Sequence, residues 1–123
     1  NTTGANTTYI KVGFQAALHN IGNHYNTSTS LFTAPVAGSY QFNTNIRFDD
    51  ANSSTNIIVR LYLNGVGLSG PYNISVIQGS YNSLVLSSIL YLQVNDTMSV
   101  YARATDSSWH VNTQSSFSGY LLG

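Results

Sequence analysis

Apolar and polar side chains alternate along much of this chain, and this period of two constrains the fold more than any other feature. Between residues 40 and 48, tyrosine, phenylalanine and isoleucine occupy most of one set of alternate positions, and glutamine, asparagine and arginine occupy the other. Successive side chains of a β-strand point to opposite faces. The segment therefore predicts an antiparallel strand with one face in a core and the other in water.

Residues 57–64, 97–104 and 116–122 alternate in the same way. Residues 83–94 differ, because apolar side chains occur at both sets of positions over much of that run. A strand with one face in water would not carry them. The run therefore predicts that something covers its second face.

Turn signals follow two of these segments, an Asn-Gly pair at 64–65 and an Asn-Asp pair at 95–96. Further strands are expected at residues 9–18 and 72–78, and a loop at residues 20–30. No long segment has the apolar spacing and the caps of an amphipathic helix. About eight to ten short strands with turns between them predict a β-sandwich, a barrel or a jelly roll.

A chain of 123 residues is long enough for one domain with one hydrophobic core, and no repeat or linker divides it. Residues 1–123 are therefore expected to form a single domain. The alternation predicts that the core contains Phe42, Phe48, Leu61, Leu63, Leu86, Val100 and Phe117.

Charged residues make up only 7% of the chain, and the net charge is +0. Binding to nucleic acid or to anionic lipid needs a concentrated basic face, which this composition does not suggest. The chain has no cysteine, and no apolar run approaches the roughly 20 residues of a membrane helix. We therefore expect no nucleic-acid partner and no membrane insertion.

Motifs of enzymes are missing from the sequence, including the G-x-S-x-G elbow, the H-E-x-x-H helix and a phosphate-binding glycine loop. We expect no enzyme activity and no catalytic residue. Calcium is the one cofactor considered, since Asp49 and Asp50, followed by Asn52 and Ser53, form the only dense group of oxygen ligands. The alternative is a solvated loop, which we favour.

Two stretches make the chain recognisable, FTAPVAGSYQF at residues 32–42 and SFSGYLL at residues 116–122. GFQA at 13–16, GNHYN at 22–26 and LYLQVND at 90–96 occur around them in the same order as in one family. Together they resemble the globular head of complement C1q, which shares the jelly roll of tumour necrosis factor.

The resemblance implies a ten-stranded antiparallel jelly-roll β-sandwich that assembles as a homotrimer. Many secreted animal members carry cysteine where this chain has Ala34. This departure and the scarcity of charge favour a viral, phage or bacterial relative.

A trimer interface is expected where aromatic and aliphatic side chains fall opposite the predicted core. These residues are Tyr62, Tyr101, Tyr120, Ile58 and Leu122. In the resembled fold their strands are expected to lie in the sheet around the threefold axis, and Gly119 would let a neighbouring ring approach. The alternative is that the tyrosines form ordinary cross-strand pairs on the surface of a monomer.

Three residues are candidate ligand contacts: His24, Trp109 and His110. An aromatic ring near loops can stack on a sugar or contact a partner. The alternative for Trp109 is that it closes one end of the sandwich.

The function expected from the resemblance is non-enzymatic recognition by a homotrimeric head, at the C-terminal end of a longer fibre-like chain. The preferred hypothesis is the receptor-binding tip of a phage or viral fibre or tail needle, which binds a receptor or glycan on a host surface. Its location would be extracellular or on the virion surface. The alternatives are a structural trimerisation cap and a secreted C1q-like ligand.

Overall fold

Twelve β-strands and one 3-10 turn make up the secondary structure of the described residues. The computed structural model describes residues 2–4, 8–14, 24–49, 56–77, 83–104, 109–112 and 115–123. The strands are β1 (Thr2–Gly4), β2 (Ile10–Lys11), β3 (Tyr25–Asn26), β4 (Leu31–Thr33), β5 (Gly38–Asp49), β6 (Asn56–Leu63), β7 (Val66–Gly67), β8 (Asn73–Ile77), β9 (Ser83–Leu92), β10 (Thr97–Ala104), β11 (Trp109–Val111) and β12 (Ser116–Leu121). The 3-10 turn is Gly70–Tyr72, and no α-helix occurs in these ranges.

The strands form two antiparallel sheets. In the first sheet the order is β1-β11-β5-β12, and β9 also pairs with β5. In the second sheet the order is β3-β4-β10-β6-β7, while β2 pairs with β10 and β8 pairs with β6. The predicted antiparallel jelly-roll sandwich is confirmed.

The core lies between the two sheets and is rich in aromatic rings. Phe42, at the centre of β5, meets Phe32 edge-on at 5.1 Å between ring centroids and stacks on Phe117 at 5.8 Å. Five of the seven predicted core residues are buried, and Leu63 and Phe117 are partly buried against them. The period of two therefore assigned the inward faces of the long strands correctly.

The predicted turns at 64–65 and 95–96 are both present, and they are joined to each other. Asn64 and Asn95 have positive φ angles of 51° and 72°, a conformation that asparagine tolerates better than most residues. The Asp96 carboxylate accepts hydrogen bonds from the Gln93 backbone N–H at 2.8 Å and the Asn64 side-chain amide at 3.0 Å. These two bonds hold the pKa of Asp96 below its ordinary value. The β6–β7 hairpin is thus linked to the turn that connects β9 of the first sheet with β10 of the second.

The short elements differ from the sequence predictions. Only Ile10–Lys11 is a strand within residues 9–14, and residues 15–18 lie outside the described ranges. The expected loop at 20–30 contains β3, because Tyr25 and Asn26 pair with β4. The strand expected at residues 72–78 is present as Asn73–Ile77, and only Tyr72 belongs instead to the 3-10 turn, in which Gly70 adopts a φ of +70° and Pro71 follows it.

Candidate functional site

The outward face of the first sheet carries a group of large exposed apolar side chains, which we call the apolar strip. Its members and their exposed fractions are Val85 (64%), Ile89 (57%), Tyr91 (59%), Tyr120 (48%) and Leu122 (48%). Ile89 and Tyr120 pair with the same β5 residue, Gln41, from opposite sides, so they share one row across the sheet. Gln41 lies between them, and the exposed apolar side chains on both sides of it make this face a candidate interaction site.

The strip arises from the run that is apolar on both faces. In β9 the inward set, which includes Leu84, Leu86 and Leu92, is buried in the core. The alternate set points outward, and no described residue of the chain covers it. The described residues therefore leave this second face open, although the sequence predicts that it is covered.

A network of polar side chains lies among the members of the strip, on β5 and β9. The Ser87 hydroxyl donates to the Asn43 side-chain oxygen at 2.7 Å. The Gln41 amide lies 3.3 Å from both the Asn43 oxygen and the Ser87 hydroxyl. Because Gln41, Asn43 and Ser87 bond to one another, the polar side chains of this face keep a defined arrangement next to the apolar ones.

The five predicted interface residues do not share one sheet. Tyr120 and Leu122 belong to the first sheet, at its outward face. Tyr62, Tyr101 and Ile58 lie on the outward face of the second sheet, because β6 and β10 pair there. The two outward faces of a sandwich point away from each other, so the assumption of one common sheet needs correction.

Tyr62 and Tyr101 instead contact each other within the chain. Their rings stack with centroids 3.7 Å apart and planes 16° apart. Burial raises the pKa of Tyr62, and the charge of Arg60 partly opposes that rise. This arrangement corresponds to the cross-strand pair that we considered as the alternative.

Gly119 is required by the chain's own core. A Cβ atom at Gly119 would lie 2.5 Å from Cε1 of Phe42 and 3.2 Å from Cε2 of Phe32. The ring that approaches Gly119 therefore belongs to the same protomer, and Gly119 gives no support for a contact with a neighbouring subunit.

A pocket of about 590 Å³ opens beside the strip, and we call it the edge pocket. It is lined by His24, Phe32, Pro35, Tyr40, Ser118, Gly119, Tyr120 and Leu121. The His24 ring is half-buried and lies 6.3 Å from the Phe32 ring. Tyr120 belongs to both the strip and the pocket, so the structure brings a predicted ligand contact, His24, next to a predicted interface residue.

The model of the C1q domain family matches residues 1–122. This chain belongs to the C1q domain family. Among solved structures, the globular domain of zebrafish complement 1qA protein superposes with a TM-score of 0.67 at 22% sequence identity. The match covers 100% of this chain and 92% of that one.

C1q domains are typically extracellular, non-enzymatic recognition domains, and they commonly form trimers. None of the helical segments in the described residues is long and apolar enough to cross a membrane. The sequence-based assignment to this family is confirmed.

Trp109 is buried, contrary to its selection as a ligand contact. Its side chain is 1% exposed, and its ring lies 5.5 Å from that of Phe48. Trp109 closes the core at β11, because its position in that strand, like that of Val111, points inward. The ring offers no surface to a ligand in this structure.

The remaining candidates fall at the boundary of the described residues. The backbones of His110 and Asp49 pair between β11 and β5, but their side chains and the whole of Asp50 lie outside the described ranges. Among the described residues no group of three or more histidine, cysteine or acidic side chains is placed to hold a metal ion. The calcium hypothesis therefore stays a prediction.

The sequence analysis missed Val85, Ile89 and Tyr91 as interface residues. Their signal was present, since the run at 83–94 is the one segment that is apolar at both sets of positions. The sequence predicts that the second face of this run is covered, but it places the expected interface at tyrosines on other strands.

Proposed function

We propose that this C1q domain is a non-enzymatic recognition head that assembles as a homotrimer through the apolar strip. The observation that carries the proposal is that five large apolar side chains of one face remain about half exposed or more. A second copy of the same chain is the occupant proposed here, because C1q domains commonly form trimers.

Burial of the strip supplies the driving force for assembly. A large apolar side chain that moves from water to a packed interface contributes about 1.5–3 kcal/mol. Tyr91 and Tyr120 each add a hydroxyl that can form a hydrogen bond across the subunit boundary. The polar network around Asn43 lies between the apolar side chains of β9 and those of β12 in this interface.

The experiment is sedimentation equilibrium at micromolar concentration. The unmodified chain should have about three times the protomer mass of 13.3 kDa. Ile89→Asp and Tyr120→Asp should each give folded 13.3 kDa monomers, because three buried charges near one axis lose hydration and repel one another.

Val66→Asp is the matched control. Val66 is 66% exposed in β7 of the second sheet, so it is as apolar and as accessible as the strip but lies outside it. This variant should remain trimeric. A monomeric unmodified chain at tens of micromolar, or a Val66→Asp effect equal to that of Ile89→Asp, would contradict the proposal.

The recognition role proposed for the trimer is attachment of a viral or phage fibre to a receptor or glycan on a host surface. Support comes from the composition, with 7% charged residues and no cysteine, which differs from many secreted animal relatives. A secreted C1q-like ligand is the second candidate, since C1q domains are typically extracellular. A structural trimerisation cap is the third.

Labelled trimer should distinguish these roles. The attachment hypothesis expects saturable binding to intact bacterial or host cells that unlabelled trimer displaces. A structural cap expects no saturable binding although the mass is that of a trimer. A secreted ligand expects binding to purified soluble or matrix glycans without a preference for whole cells.

A further inference from the structure

Basic residues are concentrated on the outward face of the second sheet. The chain has four of them, and three, Lys11, Arg60 and Arg103, are brought onto this face by β2, β6 and β10. The fourth, Arg47, lies in β5 of the first sheet. Among the described side chains, this face therefore carries three of the four positive charges.

The strand register explains this concentration. Tyr101 pairs with Lys11 on one side and with Arg60 on the other, so the three side chains form one row. Arg103 lies two residues further along β10 and therefore on the same face. We call this surface the cation–tyrosine face, and its members are Tyr9, Lys11, Arg60, Tyr62, Tyr101 and Arg103.

Tyrosine rings fix the positions of both guanidinium groups. The Cζ atoms of Arg60 and Arg103 lie 4.8 Å and 5.4 Å from the centroid of the same ring, Tyr9. Gly67 leaves room beside them, since a Cβ there would lie 3.0 Å from Cδ of Arg60 and 3.2 Å from the Tyr62 ring. The two cations are therefore held near each other rather than spread through solvent.

Carboxylates of the described residues do not neutralise this face. The one acidic side chain that the described residues include is Asp96, and its oxygens bind Gln93 and Asn64 in the turn before β10. The Nε atoms of Arg60 and Arg103 are buried, and within the same part of the chain neither has a hydrogen-bond partner. These Nε atoms are out of reach of an external anion, but both arginine side chains are partly exposed, so their terminal nitrogens remain as donors for one.

We propose that the cation–tyrosine face binds an acidic polysaccharide through its carboxylate or sulfate groups. Guanidinium groups bind planar and tetrahedral oxyanions with paired hydrogen bonds, and the tyrosines add hydroxyl groups and ring edges for the sugar. Lys11 is exposed and the other five members of the face are partly exposed, so a polymer can reach them. Nucleic acid is the alternative polyanion, and competition by single-stranded DNA separates it from an acidic polysaccharide.

The proposal rests on the proposed function in one respect. The face lies on the sheet opposite the apolar strip, so it stays accessible in the proposed trimer. Three linked copies raise the affinity for a polymer with repeated anionic groups. A single protomer still binds, more weakly.

Binding is measured on a biosensor with immobilised heparin at about 50 mM salt, where electrostatic binding is strong. Soluble polygalacturonate, dextran and single-stranded DNA are the competitors. Polygalacturonate carries carboxylates as its only charged groups, and dextran is neutral. We expect the chain to bind the immobilised heparin, polygalacturonate to compete, and dextran not to compete.

The variant that tests the site is Arg60→Gln with Arg103→Gln. It should bind heparin at least about tenfold more weakly, because a hydrogen bond between charged groups is worth a factor of ten or more in affinity. Arg47→Gln removes one charge from the opposite sheet and should change affinity less than about twofold, since exposed charges at a distance are screened. Lys11→Gln serves as a second variant, because this exposed side chain can change without disturbing the core if the double variant fails to fold.

Several results would overturn the proposal. These are no binding to heparin at low salt, equal effects of Arg47→Gln and the double variant, or competition by single-stranded DNA as strong as that by the polysaccharides. The monomeric Ile89→Asp variant separates this proposal from the trimer. Weak binding that still depends on Arg60 and Arg103 would support the site even if the unmodified chain proved monomeric.

Discussion

The outward faces of the two sheets differ in what covers them. On the first sheet, Ile89 and Tyr91 project from β9 and remain more than half exposed. On the second sheet, Ile58 and Ser99 also occupy outward positions but are 8% and 2% exposed. The same alternation therefore produced one face that the chain leaves open and one that it largely covers itself.

This difference teaches that an aromatic residue opposite the core is not by itself evidence of a subunit contact. Tyr62 and Tyr101 satisfy each other by stacking, and Tyr9 holds two arginine side chains. The apolar strip has no such internal partner among the described residues. Surface that lacks partners within the protomer is the better indicator of an interface.

Replacement of an inward ring should have the largest effect on the protomer. Phe42→Ala removes a ring that is 1% exposed and contacts Phe32 and Phe117. In a monomeric Ile89→Asp background, it should lower the free energy of unfolding by about 3–5 kcal/mol. Urea denaturation, monitored by circular dichroism, measures this free energy of unfolding.

Tyr91→Ala in the same background is the outward counterpart. Tyr91 is 59% exposed in the protomer, so the loss should stay below about 1 kcal/mol. Equal losses for the two variants would show that the inward and outward faces of the first sheet had been assigned incorrectly.

Gly119→Ala tests the close contact between β12 and the core. The new Cβ would lie 2.5 Å from Phe42, so the ring or the strand must shift. Overpacking of this kind costs about 1–3 kcal/mol. Ser118→Ala, one residue away in the same strand, should cost less than about 0.5 kcal/mol by the same measurement.

Phe42→Leu offers a rescue for Gly119→Ala. If the clash with the ring causes the loss, the two changes together should cost less than the sum of their separate effects. Strict additivity would mean that Gly119 is needed for another reason.

The stacked pair on the second sheet should contribute more modestly. A double-mutant cycle with Tyr62→Ala and Tyr101→Ala should give a coupling of about 0.5–1.5 kcal/mol, because the rings stack at 3.7 Å. The coupling should be the same in the monomeric Ile89→Asp variant, since the contact lies within one chain. A coupling that appears only in the trimer would instead place the pair at the interface.

Replacement of the Asp96 carboxylate, in the turn before β10, should have the smallest effect on stability. Hydrogen bonds from Asn64 and Gln93 hold the pKa of Asp96 below its ordinary value of 3.8. The Asp96 carboxylate therefore makes its full contribution to stability at pH values above its pKa in the unfolded chain. This contribution is lost as the pH falls through the lower pKa that Asp96 has in the folded protein. Asp96→Asn should show a shallower fall in Tm below about pH 4 than the unmodified chain, and identical profiles would contradict this role.

Much of the fold could be predicted from the sequence because side-chain alternation is a local property. It identified β5, β6, β9, β10 and β12, as well as the inward sets of residues on them. The turns at 64–65 and 95–96 were also predictable, since asparagine favours the positive φ angles found there. The family motifs led to the correct sandwich because they span nearly the whole chain.

The tertiary structure alone decided which strands share a sheet. Pairing of β12 with β5 joins residues 71 to 81 positions apart, and no local signal reports such a partner. For that reason Tyr120 could not be separated from Tyr62 by sequence, although they lie on opposite sheets. The inward direction of Trp109 depended in the same way on the pairing of β11 with β5.

The charge of the chain follows from its composition, whereas the positions of the charged residues depend on the tertiary structure. Composition alone established that the chain has four basic residues and no net charge, and it argued against any concentrated basic face. Lys11, Arg60 and Arg103 are nevertheless neighbours, because two strand pairings bring distant parts of the chain into one row. Local alternation determines the face of its own strand on which a side chain lies, whereas long-range hydrogen-bonded pairing determines its neighbours on that face.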